Sequence, residues 1–161
     1  MVGGKALGFI LGILIIVADQ ATKHLSVLYL MNKKPIVLIN DLIELHFVKN
    51  YGAAFGILQN QRLFFISVTT LVLVVMSIYM IKNQKKLTLV ANIAMGFLLG
   101  GALGNLIDRV RLGYVVDFIK VDLGRLYDFP VFNIADIFIV IGTGLLIFVI
   151  LFDKYDKAQV I

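Results

Sequence analysis

Four long apolar runs dominate the chain: Ala6 to Tyr29, Leu63 to Ile81, Leu87 to Ile107 and Val131 to Phe152. Crossing about 30 Å of hydrocarbon takes roughly 20 helical residues, and each run is close to that length. Each is therefore read as a membrane-spanning helix. At 60% hydrophobic and 16% charged residues, the chain is too apolar and too weakly charged for a soluble domain. Its 161 residues suffice for one bundle, with no internal repeat, low-complexity tract or Pro/Ser-rich linker. A single membrane domain over residues 1–161 is expected. The first run follows Lys5 like a secretory leader, but it exceeds the usual apolar core and no small-x-small site follows, so it reads as retained.

An even number of spans puts both termini on one side. The tight connector Lys82-Asn83-Gln84-Lys85-Lys86, together with Lys5, Lys154 and Lys157, suggests that this side is cytoplasmic. The raw count opposes this: the other side carries Lys23, Lys33, Lys34, Lys49, Arg62, Arg109, Arg111, Lys120 and Arg125, spread over two longer segments. Local density favours termini inside. With no cysteine, disulfides, thiol catalysis and thiolate metal sites are excluded.

Between spans one and two, Ile36 to Val48 reads as two short strands around a two-residue turn at Asn40-Asp41, giving a small sheet at the membrane surface. Asn50 to Leu58 mixes glycines with large apolar residues, which suits either a bend into a short interfacial helix or an ordinary loop. Between spans three and four, Tyr114 to Val121 reads as a strand, with Asp117 on the same face as Val115, Ile119 and Val121. A carboxylate in such company is costly and marks either a functional site or a buried ion pair with Arg109, Arg111 or Lys120. Asp136 favours the first. It lies in the opening turns of span four, at i+3 from Asn133, so that both polar groups would project from one helix face.

Two more polar clusters end spans at the same level. Asp19, Gln20, Thr22 and Lys23 occupy the outer part of span one, with Asp19 and Lys23 spaced for an i,i+4 ion pair; Asn105, Asp108 and Arg109 close span three. Gly100 and Gly104 form a Gly-x-x-x-Gly pattern that permits close helix approach. Each cluster alone fits capping or snorkelling; four at one level point to a shared site.

The ordered motifs Asp19-Gln20-x-Thr22-Lys23, Asn50-x-Gly52-x-Ala54-Phe55-Gly56, Gly101-Ala102-Leu103-Gly104-Asn105-Leu106-Ile107-Asp108-Arg109, Val115-Val116-Asp117-Phe118 and Phe132-Asn133-Ile134-Ala135-Asp136 resemble those of bacterial lipoprotein signal peptidase, signal peptidase II. That resemblance implies four transmembrane helices, a small extracytoplasmic sheet and a short interfacial helix, in the bacterial cytoplasmic membrane with both termini in the cytoplasm. It also implies an aspartic endopeptidase that removes signal peptides from diacylglyceryl-modified prolipoproteins, cutting just before the lipidated cysteine. By the same resemblance Asp117 and Asp136 are the catalytic dyad, near the outer leaflet surface. The resemblance likewise implies that Asp19, Lys23, Asn50, Gly52, Gly101, Asn105, Asp108, Arg109 and Asn133 would shape the site or hold substrate. Prolipoproteins and membrane lipids are the expected partners, and the expected working form is a monomer with no metal or cofactor.

Two close carboxylates share one proton near neutral pH, so one can take a proton from water while the other donates to the developing oxyanion. Other peptidase classes fit less well: there is no His-Glu-x-x-His, His24 and His46 make no convincing zinc set, no serine sits in a nucleophile elbow, and the Gly-x-Gly-Asp element of presenilin-like enzymes is absent despite Tyr127-Asp128. A proton- or cation-coupled transport subunit is the alternative from another class. Against it, spans two and four carry few polar residues at depth, among them Ser67, Thr69, Thr70, Ser77 and Thr143. A structural assembly protein using the Gly-x-x-x-Gly face would tolerate asparagine at both aspartates. The net charge of +5 fits contact with anionic lipid, and no basic stripe with interleaved aromatics points to nucleic acid.

Overall fold

The computed structural model describes residues 6–52, 58–122 and 129–152. Seven elements follow in order: α1 (Leu7–Leu30), β1 (Ile36–Ile39), β2 (Ile43–Asn50), α2 (Arg62–Asn83), α3 (Leu89–Arg111), β3 (Val115–Val121) and α4 (Ile134–Leu151). All four helices are long and apolar enough to cross a membrane. Together with a three-stranded antiparallel sheet they form the expected mainly helical membrane architecture.

α3 is the axis of the bundle. It packs on α1 and α4, and α2 docks chiefly on α3. Small residues permit this: a Cβ at Gly100 would lie 2.7 Å from the Gly12 carbonyl oxygen, and one at Gly104 2.6 Å from Asp19 Oδ2. The crossing therefore brings backbone against backbone, as small-residue faces do in membranes. At the end remote from the sheet, Met80, Leu87, Ala91, Met95, Leu99 and Val149 form a buried apolar cluster. There Asn92 Oδ1 accepts the Gly8 N–H at 2.7 Å, satisfying a helix-terminal donor. α2 buries Met80 and leaves Leu63, Leu71 and Val75 exposed, as suits a lipid-facing helix.

The strands run in the order β1-β2-β3. The β1–β2 loop is one residue longer than expected: Ile39 pairs with Ile43, leaving Asn40, Asp41 and Leu42 between them. Asp41 takes the left-handed conformation at φ 56°, which a short polar side chain tolerates. β2 continues past Val48 to Asn50 because β3 offers partners that far, with Val48 opposite Asp117 and Asn50 opposite Val115.

α4 begins at Ile134, not at Val131. The Phe132 backbone is drawn to the free edge of β3: its N–H donates to Ile119 O at 3.0 Å, and its carbonyl accepts from Ile119 N at 2.8 Å. That bridge places the start of α4 beside Asp117. The expected interfacial helix around Ala53 to Leu58 lies largely outside the described residues, as does Tyr127-Asp128.

Candidate active site

Asn133 is the N-cap of α4 and Asp136 its third residue, and the two form a capping box. Asn133 Oδ1 accepts the Asp136 N–H at 3.0 Å, and Asp136 Oδ2 accepts the Asn133 N–H at 3.1 Å. The i,i+3 spacing thus reports a helix start, where the sequence suggested two groups projecting from a helix already under way. Asn133 Nδ2 is consequently free to reach out of the helix, and it donates to Asp117 Oδ1 at 2.6 Å. One asparagine therefore touches both carboxylates.

Asp117 is 2% exposed and accepts from neutral amides: Asn133 at Oδ1, and Asn50 Nδ2 at Oδ2 at 2.9 Å. No ion pair with Arg109, Arg111 or Lys120 forms among the described residues. Lys120 instead faces Glu44 across the strands at 4.0 Å. Burial pushes the Asp117 carboxyl up from its ordinary 3.8 to about 7, and the charge of Asp136 adds to the rise. The amides of Asn50 and Asn133, and the charge of Lys23, hold it back.

Behind this pair lies a charged cage. Lys23 Nζ meets Asp19 Oδ2 at 2.8 Å, Asp108 Oδ2 at 3.0 Å and Asn105 Oδ1 at 2.8 Å, so its three donors are spent. The i,i+4 pairing expected of Asp19 and Lys23 is present. Asp19 Oδ1 also accepts the Ala135 N–H at 3.0 Å, so α1 supplies a cap to α4, and Asp108 Oδ2 accepts the Val116 N–H at 3.0 Å. Gln20 Nε2 closes the cage by donating to Asp108 Oδ1 at 2.9 Å. Asn105 Nδ2 turns forward, donating to Asp136 Oδ1 at 2.8 Å.

A cavity of about 910 Å³ opens over both carboxylates. Its lining mixes the polar or charged Asn50, Asn105 and Arg109 with the apolar Phe129, Ile137 and Val140. Arg109 donates to the Gly52 carbonyl at 3.0 Å and lies 4.7 Å from the Phe65 ring centre. Gly101 faces α4 at the Ala135 carbonyl. His46 reaches Glu44 at 3.8 Å, and no group of three acids, histidines or cysteines fit for a metal occurs among the described residues.

Among the described residues, the two aspartates and the nine supporting residues nominated from the sequence lie towards one end of the bundle. Four further residues shape the arrangement. Gln20 was noted only as part of a cluster, and Phe132 acts through its backbone, which no side chain advertises. Gly8 and Gly12 carried a legible signal, since their spacing repeats that of Gly100 and Gly104.

The family model described as signal peptidase (SPase) II matches residues 11–152. The chain belongs to the signal peptidase II family. Among similar members, the lipoprotein signal peptidase of Brevibacillus brevis is 44% identical over 145 residues, covering 90% of this chain and 95% of that one. That of Caldanaerobacter subterraneus is 46% identical over 139 residues, covering 86% and 91%. A solved bacterial membrane enzyme matches with a TM-score of 0.81 at 34% identity, over 92% of this chain and 90% of its own. This signal peptidase II family member is therefore a multi-pass bacterial membrane protein.

Proposed function

We propose that the chain is an intramembrane aspartic endopeptidase that removes signal peptides from diacylglyceryl-modified prolipoproteins, cutting immediately before the lipidated cysteine, with Asp117 and Asp136 as its catalytic dyad. Family membership supports peptidase action on lipoprotein precursors. The observation that carries the aspartic mechanism is Asn133, bonded at once to the two carboxylates, which both line a cavity of mixed polar and apolar residues.

The pair holds one proton. With its pKa near 7, buried Asp117 carries it, while the charge of Asp136 is accommodated in the first turn of α4. Asp136 takes a proton from a bound water as the water oxygen attacks the scissile carbonyl carbon, and Asp117 passes its proton to the carbonyl oxygen. In the resulting gem-diol the C–N bond breaks as Asp136 protonates the leaving nitrogen. A gem-diol hydroxyl returns its proton to Asp117, leaving a carboxylic acid, an amine and the original dyad. Arg109 and Asn50, at the cavity rim, orient the peptide. The apolar wall along Ile137, Val140 and Ile141 suits a substrate that arrives with its acyl chains in the bilayer.

The lysine-rich connector lies at the opposite end of the bundle from the sheet, which supports cytoplasmic termini and a site near the outer leaflet. On this reading the chain works as a single-domain monomer without metal. The transport alternative gains nothing here, because the apolar cluster around Met95 and Val149 fills the bundle at the far end from the dyad. The test is cleavage of a diacylglyceryl-modified prolipoprotein peptide in detergent with chelator present, beside folded Asp117→Asn and Asp136→Asn variants. Cleavage before the lipidated cysteine that both substitutions abolish is expected. Cleavage surviving either one refutes the dyad.

A further inference from the structure

Lys23 is 3% exposed and lies behind the two carboxylates, touching neither of them, so it has no route to substrate. What it does touch is Asn105, whose side-chain amide has one acceptor end and one donor end. As placed, Asn105 Oδ1 accepts from Lys23 at 2.8 Å and from Asn133 Nδ2 at 3.1 Å, and Nδ2 donates to Asp136 Oδ1 at 2.8 Å. Turned over, the amide would set its NH₂ against an ammonium and another NH₂, and its oxygen against a carboxylate. All three contacts would be repulsive.

We propose that Lys23 is a positioning residue for the dyad: its ammonium holds the Asn105 amide in the one orientation that presents an N–H to Asp136. This deepens the peptidase reading and rests on it for its catalytic consequence. Lys23 donates to Asn105 and Asn105 to Asp136, while Asn133 Nδ2 donates both to Asn105 Oδ1 and to Asp117 Oδ1. Asn133 is held independently, since its own oxygen is committed to the Asp136 N–H; it constrains Asn105 through a single neutral bond, a weaker hold than the charge-assisted bond from Lys23. Asp19 and Asp108 grip the ammonium from α1 and α3, and their remaining bonds to Ala135, Val116 and Gln20 keep the cage rigid. Arg109 turns to the Gly52 carbonyl.

The test must separate orientation from charge. Wild type places one ammonium between two carboxylates, so Lys23→Met combined with Asp19→Asn leaves the net charge of the cage unchanged, and Asn at 19 still offers an oxygen to Ala135. Lys23→Met with Asp108→Asn is the second variant, equally neutral. Circular dichroism establishes folding. Two readouts follow: hydrogen exchange of the Asn105 side-chain amide by NMR, and the split between kcat and KM for prolipoprotein cleavage, the second measured with and without Asn105→Ala. The expected results are amide exchange at least about tenfold faster and kcat lower by about tenfold, the scale of one hydrogen bond to a charged group. KM should stay within about twofold, and Asn105→Ala added to the variant should cause no further loss. Wild-type amide exchange and kcat in the neutral variants, or losses that multiply with Asn105→Ala, overturn the proposal. Failure of the wild type to cleave removes the peptidase reading instead, and the amide exchange still decides the orientation.

Discussion

Replacing Asp117 by asparagine is expected to stabilise the fold at alkaline pH while destroying activity. In the folded protein the Asp117 carboxyl titrates near 7, against 3.8 for an ordinary aspartate. Between those values the folded state binds a proton that the unfolded chain has lost, so the stability it contributes is full below 3.8 and is lost as pH rises towards 7. At 1.36 kcal/mol per pH unit over about three units, the wild type gives up about 4 kcal/mol across that window. Asparagine does not titrate and escapes the loss. It pays elsewhere, because both Asp117 oxygens accept from amides, and an NH₂ in place of one would oppose either Asn50 or Asn133. One donor left facing a donor costs about 1–3 kcal/mol at any pH. The variant should therefore be less stable than wild type by that amount at pH 4 and more stable by about 1–3 kcal/mol at pH 8. With no tryptophan in the chain, thermal unfolding in detergent is best followed by far-ultraviolet circular dichroism. A stability gap between the two proteins that stays constant from pH 4 to 8 would mean that burial does not hold a proton on Asp117.

Gly104→Ala, whose Cβ would come 2.6 Å from caged Asp19 Oδ2, should cost about 1–3 kcal/mol and lower the unfolding temperature, whereas Gly144→Ala, with nothing within 4 Å, should not. Asn133→Ser keeps an oxygen for the helix cap but removes the donor to Asp117. Its stability should fall by about 1–3 kcal/mol, since Asp117 Oδ1 loses its donor, and cleavage by more than about tenfold; full activity would deny Asn133 its linking role. Lys120→Met touches only the half-buried, 4.0 Å contact with Glu44 and should change stability by less than about 0.5 kcal/mol with cleavage intact. Lost cleavage there would point back to a cationic partner for Asp117.

The spans were legible because hydrophobicity over 20 residues is a strong and local signal, and α1, α2 and α3 begin and end within a few residues of their apolar runs. The start of α4 was misread for the same reason. Val131 and Phe132 are as apolar as a span, and only a hydrogen bond to β3, distant in sequence, removes them from the helix. The ion pair between Asp19 and Lys23 could be inferred from spacing within one helix. The attachments of Asp19 to Ala135 and of Asn105 to Asp136 could not, since they join different helices and depend on how closely glycines let those helices approach.

Those cross-helix attachments show why so polar a site can persist at the end of an apolar bundle. A buried carboxylate without partners would destabilise the fold, and here each oxygen of Asp19, Asp108, Asp117 and Asp136 receives a hydrogen bond or meets the ammonium. The donors come from the N-terminus of α4, from β3, from Gln20 and Lys23 of α1, and from the three asparagines. The bonds that satisfy the acids are therefore also the bonds that fasten α4 and β3 to α1 and α3. Lipid gives packed helices little hydrophobic reason to stay together, so such bonds, with glycine packing, hold the site end of the bundle. Asp117 and Asp136 differ from Asp19 and Asp108 in this scheme, because both accept only from neutral amides and neither meets the ammonium. Asp117 is thus held in place without an adjoining cation to keep it ionised, and burial keeps its proton available near neutral pH.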